Sequence, residues 1–155
     1  MALEHHDKLN PSQTKQAWEQ EERLARQRPR VIVAEDHLEM RALISDMLRL
    51  EGYEVTEARD GAALLDLIVE TLHPSEDPQI PDLIITDIWM PGCTGLEVLA
   101  RLRRFDWATR VIVITAFGDE SAHSEARRLG AALVLDKPFE LATLRAAALG
   151  LAPVE

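Results

Sequence analysis

Four short apolar runs in this 155-residue chain each end in, or hand over to, groups that carry chemistry. Val31-Ile32-Val33-Ala34 leads into Glu35-Asp36, and Leu83-Ile84-Ile85-Thr86 leads into Asp87. Val111-Ile112-Val113-Ile114 leads into Thr115, and Leu133-Val134-Leu135 runs toward Lys137-Pro138. Runs without polar alternation read as strands covered on both faces, which is how parallel sheets look in sequence. The ligand crevice of an open α/β sheet lies at the carboxyl ends of its strands. Three carboxylates, one hydroxyl and one ammonium are therefore expected along a single edge. That set suits a divalent cation and a phosphoryl group.

Between these runs lie helical patterns. Residues 38–51 place Leu38, Ala42, Ile44, Met47 and Leu48 inward, with Gly52 as the C-terminal stop. Residues 61–72, 95–104, 119–129 (stopped by Gly130) and 139–149 complete the set. Residues 53–58 read as a fifth strand, short and polar enough to be an edge, and a Pro-rich loop spans 73–81. Strict alternation of five strands and five helices predicts a doubly wound parallel five-stranded α/β sheet with right-handed crossovers. Ahead of it, Asn10 as N-cap and Pro11 at the first helical position predict a helix that runs to Arg28 and ends at Pro29. Its apolar content is thin (Ala17, Trp18, Leu24, Ala25), so it lies on a surface, projects into solvent or pairs weakly with a copy of itself. The expected division is an extension over 1–29, disordered to about residue 10 and then helical, a domain over 30–149 and a tail over 150–155.

Composition narrows the function. Residues 31–155 carry 11 Lys/Arg against 22 Asp/Glu, within a whole-chain net charge of -10. Nucleic acid is an unsuited partner for so acidic a domain, since neutralising phosphates needs clustered Lys and Arg. Lys137 is the one lysine in that stretch, where every other cation is Arg. A compact ammonium on a flexible stem differs from a planar fork, which suggests chemistry that Arg cannot supply. Cys93 stands alone and excludes an internal disulfide. No apolar run reaches the roughly 20 residues of a membrane span, and the N-terminus lacks a signal-peptide core, so a cytoplasmic protein without membrane contact is expected.

In this order and spacing, Glu35-Asp36, Asp87 with Met90-Pro91 and Gly95, Thr115-Ala116 and Lys137-Pro138-Phe139 resemble a response-regulator receiver domain. The resemblance spans residues 30–149. It implies a flavodoxin-like (βα)5 fold of the CheY kind, which accepts a phosphoryl group on an aspartate from a histidine kinase or a histidine phosphotransfer protein. Such a domain catalyses only its own phosphorylation and dephosphorylation.

The residues support that chemistry directly. A carboxylate can attack phosphorus and form an acyl phosphate. Its negative charge repels the donor, and Mg²⁺, an ion of octahedral oxygen coordination, offsets this. Asp36 and Asp87 are expected to ligate Mg²⁺ directly and Glu35 through water. Lys137 is expected to pair with Asp87 and then with a phosphoryl oxygen, and the Thr115 hydroxyl to reach another. The resemblance adds the backbone carbonyl of Trp89 as a metal ligand and a cis bond before Pro138 that aims Lys137 into the site. It also makes Trp89 and Phe117 flank the phosphoryl group. Two bulky apolar groups there predict slow loss of phosphate, an idea that fails if small polar replacements of both leave the half-life unchanged.

One departure concerns Val134, which stands where many receivers carry a Tyr or Phe that swings inward with the Thr. An aromatic rotamer switch is thus absent, and output is expected to use the loop after Thr115 and the helix over 119–129. Nothing recognisable as a DNA-binding or catalytic module follows residue 149, so the expected output is contact with a downstream protein. Its surface is the 119–129 helix, the 133–135 strand and the 139–149 helix, where Leu141, Leu144 and Leu149 among alanines could support a homodimer. A haloacid-dehalogenase-type phosphatase is the enzymatic alternative. It requires a second Asp two residues after the nucleophile, and Trp89 occupies that place. A docking module that is never phosphorylated is the third. His5, His6, His37, His73 and His123 show no ligand spacing and read as tail, loop or helix-face residues, and Cys93 reads as a solvent-facing bystander.

Overall fold

The computed structural model describes residues 10–72, 80–116 and 119–155. Expectations on residues 1–9, on most of the Pro-rich loop and on Phe117 fall outside the described residues. After α1 (Pro11–Gln27) the elements run β1 (Arg30–Ala34), α2 (Leu38–Leu50), β2 (Glu54–Ala58), α3 (Gly61–Leu72) and β3 (Leu83–Asp87). They continue with α4 (Gly95–Leu102), β4 (Arg110–Ala116), α5 (Glu120–Arg128), β5 (Leu133–Lys137) and α6 (Leu141–Leu151). All strands are parallel, in the order β2-β1-β3-β4-β5. The polar β2 is an edge, as its composition predicts, and β3, buried at all five positions, is central.

Both faces of the sheet are covered, which is why β1, β3 and β4 carry unbroken aliphatic runs. On one face Val31, Val33, Leu83, Ile85, Ile112 and Ile114 meet α2 and α6. On the other, Ile32, Ile84, Val111 and Val113 meet α3, α4 and α5. Tyr53 closes the first layer, its hydroxyl donating to Ala152 O at 2.6 Å. Gly52 stops α2 at φ +103°, in the left-handed region that glycine enters without a Cβ penalty.

Two burial assignments are corrected, one in each direction. Leu38 is 66% exposed, because it opens α2 ahead of the turns whose Ile44 and Leu48 bury against the sheet. Cys93 is half-buried against the α3/α4 core rather than facing solvent. Its loop is drawn in by Gly61, whose amide donates to Pro91 O and where a Cβ would lie 1.7 Å from Cys93 O.

Arg103, just past α4, is buried although charged. Its guanidinium donates to the carbonyls of Leu129 (2.9 Å), Thr109 (2.9 Å), Asp106 (3.2 Å) and Gly130 (3.2 Å), tying the α4–β4 turn to the end of α5. Burial lowers its pKa against the pull of Asp106. Arg103→Ala would orphan several buried carbonyls, each costing on the order of 1–3 kcal/mol. A loss of about 3 kcal/mol is expected, read as a lower urea midpoint with unchanged slope.

Candidate functional site

Parallel register delivers the four strand ends to one edge. Ala34 aligns with Thr86, Asp87 with Ile114, Thr115 with Asp136, and Ala116 with Lys137. Glu35 directly follows β1 and is buried, 2% exposed, while Asp36 beside it is exposed. Asp87 closes β3 at 6% exposed. One oxygen from each of these three carboxylates lies within 4.8 Å of the others, so the trio can converge on one cation. Such oxygen-only donors fit a hard divalent ion.

Lys137, the last residue of β5, bridges the acidic group. Its ammonium donates to Asp87 Oδ2 at 2.6 Å and to both Glu35 carboxylate oxygens at 3.4 Å. The Lys137–Pro138 peptide bond is cis. Burial works against the Lys137 charge, but Asp87, by hydrogen bond and charge, and then Glu35 outweigh it and hold the pKa above the usual lysine range. Glu35 moves the other way. Burial first, then the hydrogen bond and like charge of Asp87, push its carboxyl up to about 7, against the pull of Lys137. One ammonium thus leaves the trio with uncompensated negative charge, which is a further sign that a cation belongs there.

That shift sets a pH dependence. With a folded pKa near 7 against an ordinary glutamate value of 4.5, the native state binds more protons than the unfolded chain across that window. Stability without metal is therefore full below about pH 4.5 and declines as pH rises through 7, by at most about 3 kcal/mol. Urea unfolding in a chelator should show this decline, and Glu35→Gln should flatten it. An unchanged slope in Glu35→Gln would place the proton elsewhere.

Thr115 is fully buried near the end of β4, and its hydroxyl has no hydrogen-bond partner among the described residues. Trp89 is 60% exposed, and its amide donates to Asp87 Oδ1 at 3.3 Å. Val134 is half-buried against the α3/α4/α5 core.

Two contributors escape sequence reasoning. Arg41 donates to the Glu35 carbonyl at 2.8 Å and fixes the backbone of the acidic pair. Its one signal is a cation near the N-terminus of a helix, where the dipole disfavours it. His123, on α5, is not a bare helix-face residue: its Nε2 lies 2.5 Å from Asp136 Oδ1, beside Lys137. Nothing in the spacing marks that pair.

Residues 31–149 match the family profile described as the response regulator receiver domain. Sporulation initiation phosphotransferase F of Bacillus subtilis is 30% identical over 116 residues, covering 75% of this chain and 87% of that protein. Transcriptional regulatory protein PdtaR of Mycobacterium tuberculosis is 36% identical over 116 residues, 74% of this chain but 52% of that protein. This chain thus spans about half the length of PdtaR. Among solved structures, the signal receiver domain of the putative response regulator NarL from Mycobacterium tuberculosis superposes with a TM-score of 0.66 at 34% identity, over 80% of this chain and 95% of that one. No helix among the described residues is long and apolar enough to cross a membrane.

Proposed function

The chain belongs to the response-regulator receiver family of two-component signalling, and on that premise we propose that Asp87 takes a phosphoryl group from the phosphohistidine of a histidine kinase or phosphotransfer protein. The observation that carries this reading is the 2.6 Å contact between Lys137 and Asp87 within the carboxylate trio. An Asp87 oxygen attacks phosphorus, the phosphorus–nitrogen bond of the donor breaks, and its electron pair stays on the histidine nitrogen. The product is an acyl phosphate.

Asp36, Asp87 and, through water, Glu35 are the residues that would hold Mg²⁺, with the Trp89 carbonyl as a further ligand. When bound, the ion offsets the charge that gathers on the phosphoryl oxygens. Lys137 orients Asp87 before transfer and then balances the new phosphate as a point charge. The unpartnered Thr115 hydroxyl is a donor held in reserve for a phosphoryl oxygen, since a buried hydroxyl without a partner is costly in the resting state.

Output would follow from the same geometry. Thr115 is in register with Asp136, and Asp136 holds His123 on α5, so a shift of the β4 end is passed to α5 through one pair. The face formed by α5, β5 and α6 is the proposed contact for a downstream protein or for a second copy.

The reading is tested by incubating the protein with Mg²⁺ and a small-molecule acyl phosphate and recording intact mass. One phosphoryl adduct, abolished by a chelator, is the expected result. Absence of adduct while calorimetry shows Mg²⁺ binding would make the domain a docking module instead.

A further inference from the structure

We propose that α1 of one copy packs on the α4–β4 turn of a second copy, Trp18 and Glu21 meeting an aromatic, arginine-rich patch, so that two chains close a symmetric dimer at the end of the sheet opposite Asp87. This does not depend on Asp87 being phosphorylated.

The patch is unusual for so acidic a domain. Phe105 is 74% exposed and Trp107 64%. Around them Arg101, Arg104 and Arg110 are exposed, and none forms an ion pair with a described residue. Exposed aromatics ringed by arginines have the composition of an interface centre rather than of a solvated face. The turn is also held still. One face of the Trp107 ring lies over the Arg103 guanidinium, 5.3 Å from the ring centre, and against Gly130. Asp106 accepts from the amides of Ala108 (2.7 Å) and Thr109 (3.2 Å) and from the Thr109 hydroxyl. Little ordering is left to lose when a partner arrives, which favours binding. Beside Phe105 opens a cleft of about 220 Å³, lined by Ile68, Leu102 and Thr109 among others.

The complementary surface is α1. From Pro11 to Glu22 every residue except Thr14 is exposed, and Trp18 stands 66% in solvent. Helices in proteins draw most of their stability from a packed face, and the described side chains of α1 lie almost wholly in solvent, so α1 calls for a partner. Glu21 lies one turn beyond Trp18 on the same face and Lys15 one turn before it, so the end of the helix beyond Trp18 presents a charge that opposes the arginine patch.

The connector argues for contact in trans. Pro29 O accepts from Glu54 N at 3.0 Å, and Arg30 N donates to Asp82 Oδ2 at 2.8 Å, so the hinge between α1 and β1 is pinned. Val31 aligns with Leu83 and Leu83 with Arg110, which places the root of α1 and the α4–β4 turn at the same end of the sheet. Exchange of helices between two copies satisfies both surfaces twice and closes under two-fold symmetry, doubling the area buried.

Sedimentation equilibrium of the full chain over a wide concentration range tests this. A dimer is expected, and Trp18→Ala or Arg104→Glu, both at exposed positions, should weaken it about tenfold or more. Glu21→Arg should do the same, and Glu21→Arg combined with Arg104→Glu should restore association. A monomer at every concentration overturns the proposal, as does a dimer indifferent to Arg104→Glu. A monomer that instead holds single-stranded nucleic acid on the arginine patch overturns it as well.

Discussion

Asp87→Asn is expected to give a folded protein with no detectable phosphoryl adduct, whereas Asp36→Asn should still accept the group at higher Mg²⁺ concentration. The three carboxylates differ in how they are held. Lys137 reaches Asp87 at 2.6 Å but Glu35 only at 3.4 Å, and the Trp89 amide takes the other Asp87 oxygen at 3.3 Å. Glu35 meets a single donor at 3.4 Å, whereas Asp87 is held by two separate donors, one on each oxygen and one of them at 2.6 Å, as suits a nucleophile aimed at phosphorus. Asp36 is exposed and lacks such contacts among the described residues, which suits a metal ligand. Asn at 87 removes a like charge that raises the Glu35 carboxyl pKa, and Lys137 then has Glu35 as its acidic partner, so in a chelator the decline of stability with rising pH should be shallower in the variant. An adduct that persists in Asp87→Asn and maps to Glu35 or Asp36 would move the acceptor and with it the role of Lys137.

Much of this site is visible in the sequence because each part is a local signal. The aliphatic runs announce buried strands, and chemistry-bearing residues at their ends are placed together by the parallel topology alone. Parallel pairing then does the rest: Asp87 and Lys137 close β3 and β5, and Thr115 stands one residue before the end of β4. The missed features are pairings across the chain. Arg103 reaches carbonyls 26 and 27 residues on, and His123 meets Asp136 from a different element, so neither leaves a periodic trace. Leu38 failed for another reason. Helical periodicity assigns it a face, but not how far along α2 the packing on that face begins, which is at Met40 in part and at Ile44 and Leu48 in full. Arg41 binds a backbone carbonyl, a partner that every residue offers and no sequence pattern singles out.

Gly95→Ala should be among the most damaging single-methyl changes in the chain, because the first residue of α4 sits directly against the backbone of Asp87, the proposed acceptor. A Cβ there would lie 2.2 Å from Asp87 O and 3.0 Å from Thr86 Oγ1. The Gly95 amide meanwhile donates to Ile88 O at 2.8 Å, and Thr94 fixes the helix start through a reciprocal cap with Glu97. With both sides tied, the clash falls on the backbone of Asp87 or lifts α4 from the sheet. Overpacking against backbone in a close-packed interior costs about 3 kcal/mol or more. Displacing Asp87 by even ~1 Å should slow uptake from an acyl phosphate by on the order of a hundredfold in the molecules that remain folded. Gly150→Ala is the matched control: it adds the same methyl in α6 where nothing lies within 4 Å. Removing a helical glycine there should be neutral or stabilise by about 0.5 kcal/mol. Urea unfolding and adduct formation rates measured on both variants separate the effects. Wild-type behaviour of Gly95→Ala in both would mean that α4 can slide away from β3, and that the close approach to the Asp87 backbone is not what holds the acceptor in place.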